Sequence, residues 1–177
     1  MPKSLADGRI KLAILATRPA NPAAPTVAEL NAGIEASGHI LSSDYNLGPT
    51  DSDKVAEKPL AQEGNSNALG PSNYQAAVTP FRHFDAQGQA ETGSGGELGD
   101  AVFQATREKG TRLWLYERQT SKRASEPWAE DDEADGYEVL TDNPQKPSDM
   151  GGYIKRRVPM EVQDAWIGAT VAAGSGG

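Results

Sequence analysis

The 177-residue chain has no cysteine. That excludes disulfides, thiolate nucleophiles and cysteine-ligated metals. It holds two histidines, His39 and His83, and its 17 Lys and Arg stand against 25 Asp and Glu, for a formal charge of −8. A deficit of cations argues against nucleic acid as a bound target, because phosphate neutralisation needs clustered Lys and Arg. Aromatic residues are 6% of the chain and the aliphatic supply is modest. The apolar run Ile10–Ala16 is too short for a signal peptide core and far too short to span a bilayer. No membrane binding is expected, and synthesis and assembly are expected in a cytoplasm.

Glycine (19) and proline (12) together make about 18% of the residues, above the usual share near 12%. The length fits one domain, 1–177, rich in loops. The longest loop-like stretch is Ser43–Ser72, with three Gly, three Pro, seven charges and no apolar period. A compact domain rarely keeps a structureless loop of this length. The segment is therefore either disordered or completed by a partner outside the monomer.

Around it the pattern is mostly that of strands. Ile10, Leu12 and Ile14 alternate in Arg9–Thr17. Asn73–Phe84 places Tyr74, Ala76 and Val78 on one face, with Pro80 predicting an edge or a bulge. In Thr111–Gln119, Leu113 and Leu115 share one face and Trp114 and Tyr116 the other, which predicts a central strand. Gly136–Thr141, Tyr153–Val162 (an edge or bulge, from Pro159) and Ala165–Ala173 complete the set, before a flexible tail at 174–177. One helix opens at Thr26, where Thr26 and Glu29 form a capping box, carries Val27, Leu30 and Ile34 on one stripe and stops at Gly38; a second spans Glu97–Lys109. The fold class is mainly β (α+β): a sandwich or partly closed barrel with one or two flanking helices and a long extended loop.

Catalytic motifs are weak. His83 and Asp85 are the start of a hydrolase constellation, but no G-x-S-x-G elbow accompanies them. Gly93–Gly99 resembles a phosphate loop whose third glycine falls one position late and which no buried strand precedes. Asp131, Glu133, Asp135 and Gly136 open like a calcium loop, but Asp142 replaces its closing glutamate. Catalytic, cofactor and metal residues are accordingly predicted to be none.

Charge is more informative. Glu126, Glu130, Asp131, Asp132, Glu133, Asp135 and Glu138 form an acidic block with no base, while Arg107–Arg123 is basic and includes Arg118, Lys122 and Arg123; Lys155, Arg156 and Arg157 form a second basic cluster. In one monomer these blocks could face each other. In a homopolymer they could mate head to tail.

The segments DGRIKLAILATRPANPAAPTVAELNAG, GTRLWLYERQTSK with the following EPW, YEVLTDNPQKP and GYIKRRVPMEVQDAW, in this order, resemble major tail proteins of long-tailed bacteriophages, most of all those infecting actinobacteria. The resemblance implies a tail-tube fold, no catalysis, hexameric rings stacked into a tube, DNA passing only transiently through the lumen, and other tail proteins (tape measure, terminator, distal tail) at the tube ends. It implies a virion location. It also makes Ser43–Ser72 an inter-subunit arm, with Tyr45, Leu47, Pro49, Lys54, Lys58, Leu60 and Leu69 as its contact residues. Part of the acidic block would then line or border the lumen and repel phosphates. The competing reading is a β-sandwich decoration or adhesion domain that binds a capsid or cell-surface ligand without polymerising.

Overall fold

The computed structural model describes residues 5–64, 66–93 and 97–174. Its elements in chain order are β1 (Ile10–Leu15), α1 (Val27–Ala32), β2 (Ile34–Glu35), β3 (Asn46–Thr50), β4 (Lys54–Val55), β5 (Ala68–Leu69), β6 (Asn73–Val78), α2 (Ala101–Thr106), β7 (Arg112–Gln119), β8 (Glu133–Thr141) and β9 (Val158–Thr170). Seven strands form one antiparallel sheet in the order β2-β1-β7-β8-β9-β6-β3, and β4 and β5 pair as a separate ribbon.

Both faces of the sheet are packed, because its strands carry apolar residues in alternating register. Leu12, Ile14, Leu113, Leu115, Tyr137, Val139, Val158, Met160, Ala76 and Val78 share one cluster on one face, closed by Val102 of α2. Ala13, Leu15, Trp114, Tyr116 and Ala134 lie on the other, under Leu30 of α1, Trp128 and Val171. Burying each of the larger aliphatic side chains contributes about 1.5–3 kcal/mol. β7 is the central strand its two apolar faces predict, paired with β1 on one side and β8 on the other.

The sheet curls so that its two edges approach. From β2 the chain runs through Ser37–His39 to Leu41, whose N–H donates to Thr79 O at 2.9 Å, while Phe81 N–H donates to His39 O at 2.9 Å. Tyr45 then reaches across to donate its hydroxyl to Glu117 of β7. This strap joins the edges at one place; among the described residues they do not pair along their length, so the barrel stays open.

Several boundaries differ from the sequence pattern. α1 has the predicted capping box, with Thr26 Oγ1 accepting from Glu29 N–H at 3.2 Å, but it ends at Ala32. Ile34 belongs to β2, drawn off the helix by pairing with Ile14. A Cβ at Gly33 would come within 2.9 Å of Ile14 O, so the turn out of the helix needs glycine for close approach. α2 keeps six of the thirteen residues expected. The last two predicted strands fuse into β9, which absorbs two register shifts against β8.

Neither Pro80 nor Pro159 marks an edge. β6 ends at Val78, before Pro80. Pro159 is the second residue of β9, one position before the last β8–β9 rung, Thr141–Met160. The edge proline is Pro49, in β3. Residues 175–177 of the expected tail (174–177) and the Ser94–Gly96 part of the glycine run lie outside the described residues.

Candidate functional site

The long segment Ser43–Ser72 divides in two. Its first part belongs to the sheet: β3 pairs with β6 from Asn46–Ala77 to Thr50–Asn73, and Tyr45 and Leu47 pack against the inner cluster. Burial and the neighbouring Glu117 carboxylate push the Tyr45 hydroxyl far above its ordinary value. These two side chains serve the monomer, because an edge strand with an apolar face is more stable over the core than in water. Pro49 stands opposite Tyr74 on the outermost strand, where a missing amide costs no ladder bond.

Beyond Thr50 the ribbon leaves the body. Asn73 Nδ2 donates to Asp51 O at 3.1 Å and to Asp53 Oδ1 at 2.9 Å, and Asp53 N–H donates to Pro71 O at 3.0 Å. Lys54 then stands opposite Leu69 and Val55 opposite Ala68. The tip between β4 and β5 is exposed in its described residues, with Lys58 Nζ donating to Glu63 O at 3.0 Å. Val55, Leu60 and Leu69 are 47%, 107% and 77% exposed, large apolar side chains with no cover in the monomer. Lys54, Lys58, Leu60 and Leu69 thus lie on a projecting two-stranded arm, and Tyr45 and Leu47 at its root.

The acidic and basic blocks meet inside the chain. β7 and β8 are antiparallel neighbours, so the loop between them folds the acidic block back onto the basic one. Arg118 is fully buried. Its guanidinium donates to Asp132 Oδ2 at 2.8 Å, Pro127 O at 2.9 Å, Arg123 O at 2.9 Å and Glu126 O at 3.1 Å, and lies 5.3 Å from the Trp128 ring centroid. Asp132 also accepts from Lys122 Nζ and from Ala129 N–H. Burial alone would raise the Asp132 pKa; Lys122, the Ala129 amide and Arg118 outweigh it and hold the carboxyl below its ordinary value.

Glu138 is buried and paired with Arg112, and Asp135 accepts Gly168 N–H at 2.8 Å. Arg118, Asp132 and Glu138 therefore offer no free charge to a neighbour, because each is neutralised within the fold. Glu126, Glu130, Asp131 and Glu133 remain exposed, as does Arg123.

Lys155, Arg156 and Arg157 are half-buried just before β9. Arg157 pairs with Asp44 at 3.6 Å, and Lys155 Nζ donates to Gly151 O at 3.0 Å. Beside them Met150, Tyr153 and Ile154 are 68%, 81% and 54% exposed, with the Tyr153 ring edge-on to Phe81 at 5.8 Å. Sequence alternation places Tyr153 and Ile154 at the start of a strand, Tyr153–Val162, but β9 begins only at Val158, which leaves both side chains exposed before it, near Met150 in the chain.

The two histidines come together rather than joining Asp85. His39 Nδ1 lies 3.4 Å from His83 Nε2. Burial and the His83 ring push the His39 pKa down, against the pull of Glu35. The Asp85 carboxylate accepts from the backbone N–H groups of Gln87 and Gln89, at 2.9 and 2.8 Å, and so holds its own turn. Nearby, Asp100 takes both ends of the Arg82 guanidinium, at 2.9 and 3.0 Å, and that guanidinium lies 3.9 Å from the Phe103 ring centroid. These pairs fasten α2 to the end of the sheet.

A family model described as phage tail tube protein matches residues 1–175. No curated protein matches the sequence. Among solved structures, the SPP1 tail tube, determined by solid-state NMR combined with cryo-electron microscopy, is similar at a TM-score of 0.53 and 11% identity, over 93% of this chain and 79% of that one. That likeness is one of fold.

Proposed function

The chain belongs to the phage tail tube protein family and is a structural component of the tail tube, and from that premise we propose that its copies close into hexameric rings which stack into the conduit for DNA. The whole of 1–177 acts as one tail-tube domain, assembled in the cytoplasm of the infected cell, and the tube ends meet the tape measure, terminator and distal tail proteins. Its work is that of a wall, with no reaction to catalyse. The resemblance to tail proteins of actinobacterial phages rests on the sequence segments alone.

The observation that carries this reading is the arm. A two-stranded ribbon with three uncovered apolar side chains costs solvent exposure in a monomer, and that cost is recovered when a neighbour covers them. A contact between two different surfaces of the same chain propagates into a filament unless its rotation closes a ring. The exposed acids Glu126, Glu130, Asp131 and Glu133 are the part of the acidic block left to border the lumen, where negative potential would keep DNA phosphates from lasting contact.

The test is a deletion placed by the structure. Removing Ala56–Asn67 and joining β4 to β5 by a two-residue Asn-Gly turn keeps β3 and the core intact. The expected product is a folded monomer by circular dichroism that forms no tubes under negative stain. Tubes of unchanged shape would refute the arm's role. An unaltered chain that stays monomeric when concentrated would favour the decoration or adhesion reading.

A further inference from the structure

The arm and the apolar patch occupy opposite ends of the same strand. The arm leaves β6 at Asn73, where Thr50 makes the last β3 rung. The patch sits at the other end of that strand's path: Phe81 bridges Lys155, and Arg82 N–H donates to Ile154 O at 2.8 Å. Nine residues of extended chain separate Asn73 from Arg82, about 30 Å. Since the arm points outward from its end, two copies placed end to end bring the arm of one to the patch of the other.

The two surfaces are complementary in charge and in polarity. Between Asp51 and Ser72 the arm has four acids, Asp51, Asp53, Glu57 and Glu63, against Lys54 and Lys58. Between Asn143 and Arg157 the patch segment has four bases, Lys146, Lys155, Arg156 and Arg157, against Asp149. Each surface surrounds uncovered apolar side chains: Val55, Leu60 and Leu69 on the arm, Met150, Tyr153 and Ile154 on the patch. Aromatic anchors at the centre and charges at the rim are the usual anatomy of a specific interface.

We propose that the patch formed by Met150, Tyr153 and Ile154, with its basic rim, is the receptor for the arm of a second copy of this chain, engaged head to tail. The inference rests on the tube reading and names the contact that reading leaves open. Leu60 packs against Tyr153, and Glu57 and Glu63 face Lys146 and Lys155. The rim charges steer the approach and the apolar groups hold it.

The chain has no cysteine, so a thiol pair can be placed without background. Tubes of the Leu60→Cys/Tyr153→Cys chain, treated with a short bismaleimide, should give a covalent ladder extending past the dimer on a denaturing gel. Each single-cysteine chain should stop at dimer, and Leu60→Cys combined with Ile167→Cys, on the exposed flank of β9, should give no ladder. Tubes of normal shape without a ladder overturn the docking and leave the tube reading intact. An unaltered chain that makes no tubes overturns both.

If the cysteine pair itself blocks growth, a charge swap decides. Lys146→Glu/Lys155→Glu and Glu57→Lys/Glu63→Lys should each slow assembly about tenfold, and carrying all four changes in one chain should restore it. Four changes that fail to restore growth overturn the proposal.

Discussion

Replacing Asp132 by Asn tests the internal use of the charge blocks most directly. The side chain keeps its shape and loses its charge, leaving Arg118, fully buried, without its anionic partner and Lys122 without its ion pair. Removing one partner of a buried pair costs about 3–5 kcal/mol. A typical domain has about 5–15 kcal/mol in all, so the variant should fold with a large part of its margin gone. With a urea m-value of about 2–3 kcal/mol/M for a chain of this size, its midpoint should fall by about 1–2.5 M. Trp128, beside the Arg118 guanidinium, should report the loosened loop by a red shift before global unfolding. The assay is urea unfolding by circular dichroism and fluorescence, at concentrations below assembly. The folded Asp132 pKa lies below its ordinary value, so its stabilisation is present above the unfolded carboxyl value near 3.9 and is lost as pH falls through the folded one. The penalty of the substitution should therefore shrink below about pH 4. Arg118→Met alone and with Asp132→Asn completes the cycle: the double variant should be less harmed than the two singles add to. A loss under about 1 kcal/mol for Asp132→Asn would mean that the guanidinium is solvated, and would refute the account of self-neutralised blocks.

Glu117 moves the other way: burial raises its pKa, Asp135 adds to the rise, and the Tyr45 hydrogen bond opposes it. A raised acid stabilises below its unfolded value near 4.3 and loses that contribution as pH rises through the folded value, so Glu117→Gln should stabilise the monomer at pH 7 and be neutral below pH 4, as thermal melts across pH would show. Gly136→Ala would place a Cβ 2.5 Å from the Tyr116 ring; the overpacking should cost about 1–3 kcal/mol, lowering Tm by about 3–10 °C with a loss of near-UV signal. Thr26→Ala removes the cap of α1 and should cost about 1 kcal/mol by urea titration without affecting tube growth.

What the sequence made legible was what local patterning controls. The two-faced β7, the inward set Tyr74, Ala76 and Val78, and the Thr26–Glu29 box all follow from spacing alone. What it hid depended on neighbours distant in the chain. Asn46–Thr50 has low strand propensity, with a glycine and a proline, and becomes β3 because β6 offers it a ladder and the core offers Leu47 a place. Pro49 shows why proline misled: the rule that it sits at edges holds, but which strand is the edge is a property of the sheet order. Of the candidate surfaces, the projecting arm was legible as an excess of loop, and the fate of Arg118 was not, since its burial follows only once β7 and β8 are adjacent.

The self-neutralisation of the β7–β8 blocks narrows what can drive assembly. Arg118, Asp132 and Glu138 are neutralised inside the fold, which leaves the exposed acids Glu126, Glu130, Asp131 and Glu133 and the surfaces at the two ends of the β3–β6 ribbon for a neighbour. The arm continues the β3–β6 ladder beyond Thr50 and Asn73, while the patch lies past the other end of β6, so on the proposed docking the free subunit would carry both halves of a contact that it does not make with itself. On the proposed docking, each added copy would cover one arm and present another, and growth would be directional without any conformational signal passing through the core. The sheet is packed on both faces, whereas the ribbon beyond Thr50 is exposed and is tied to the body by Asn73 and Asp53. In the proposed tube the sheet would set the spacing between the two contacts of a subunit, and the ribbon would be the part that meets the neighbour.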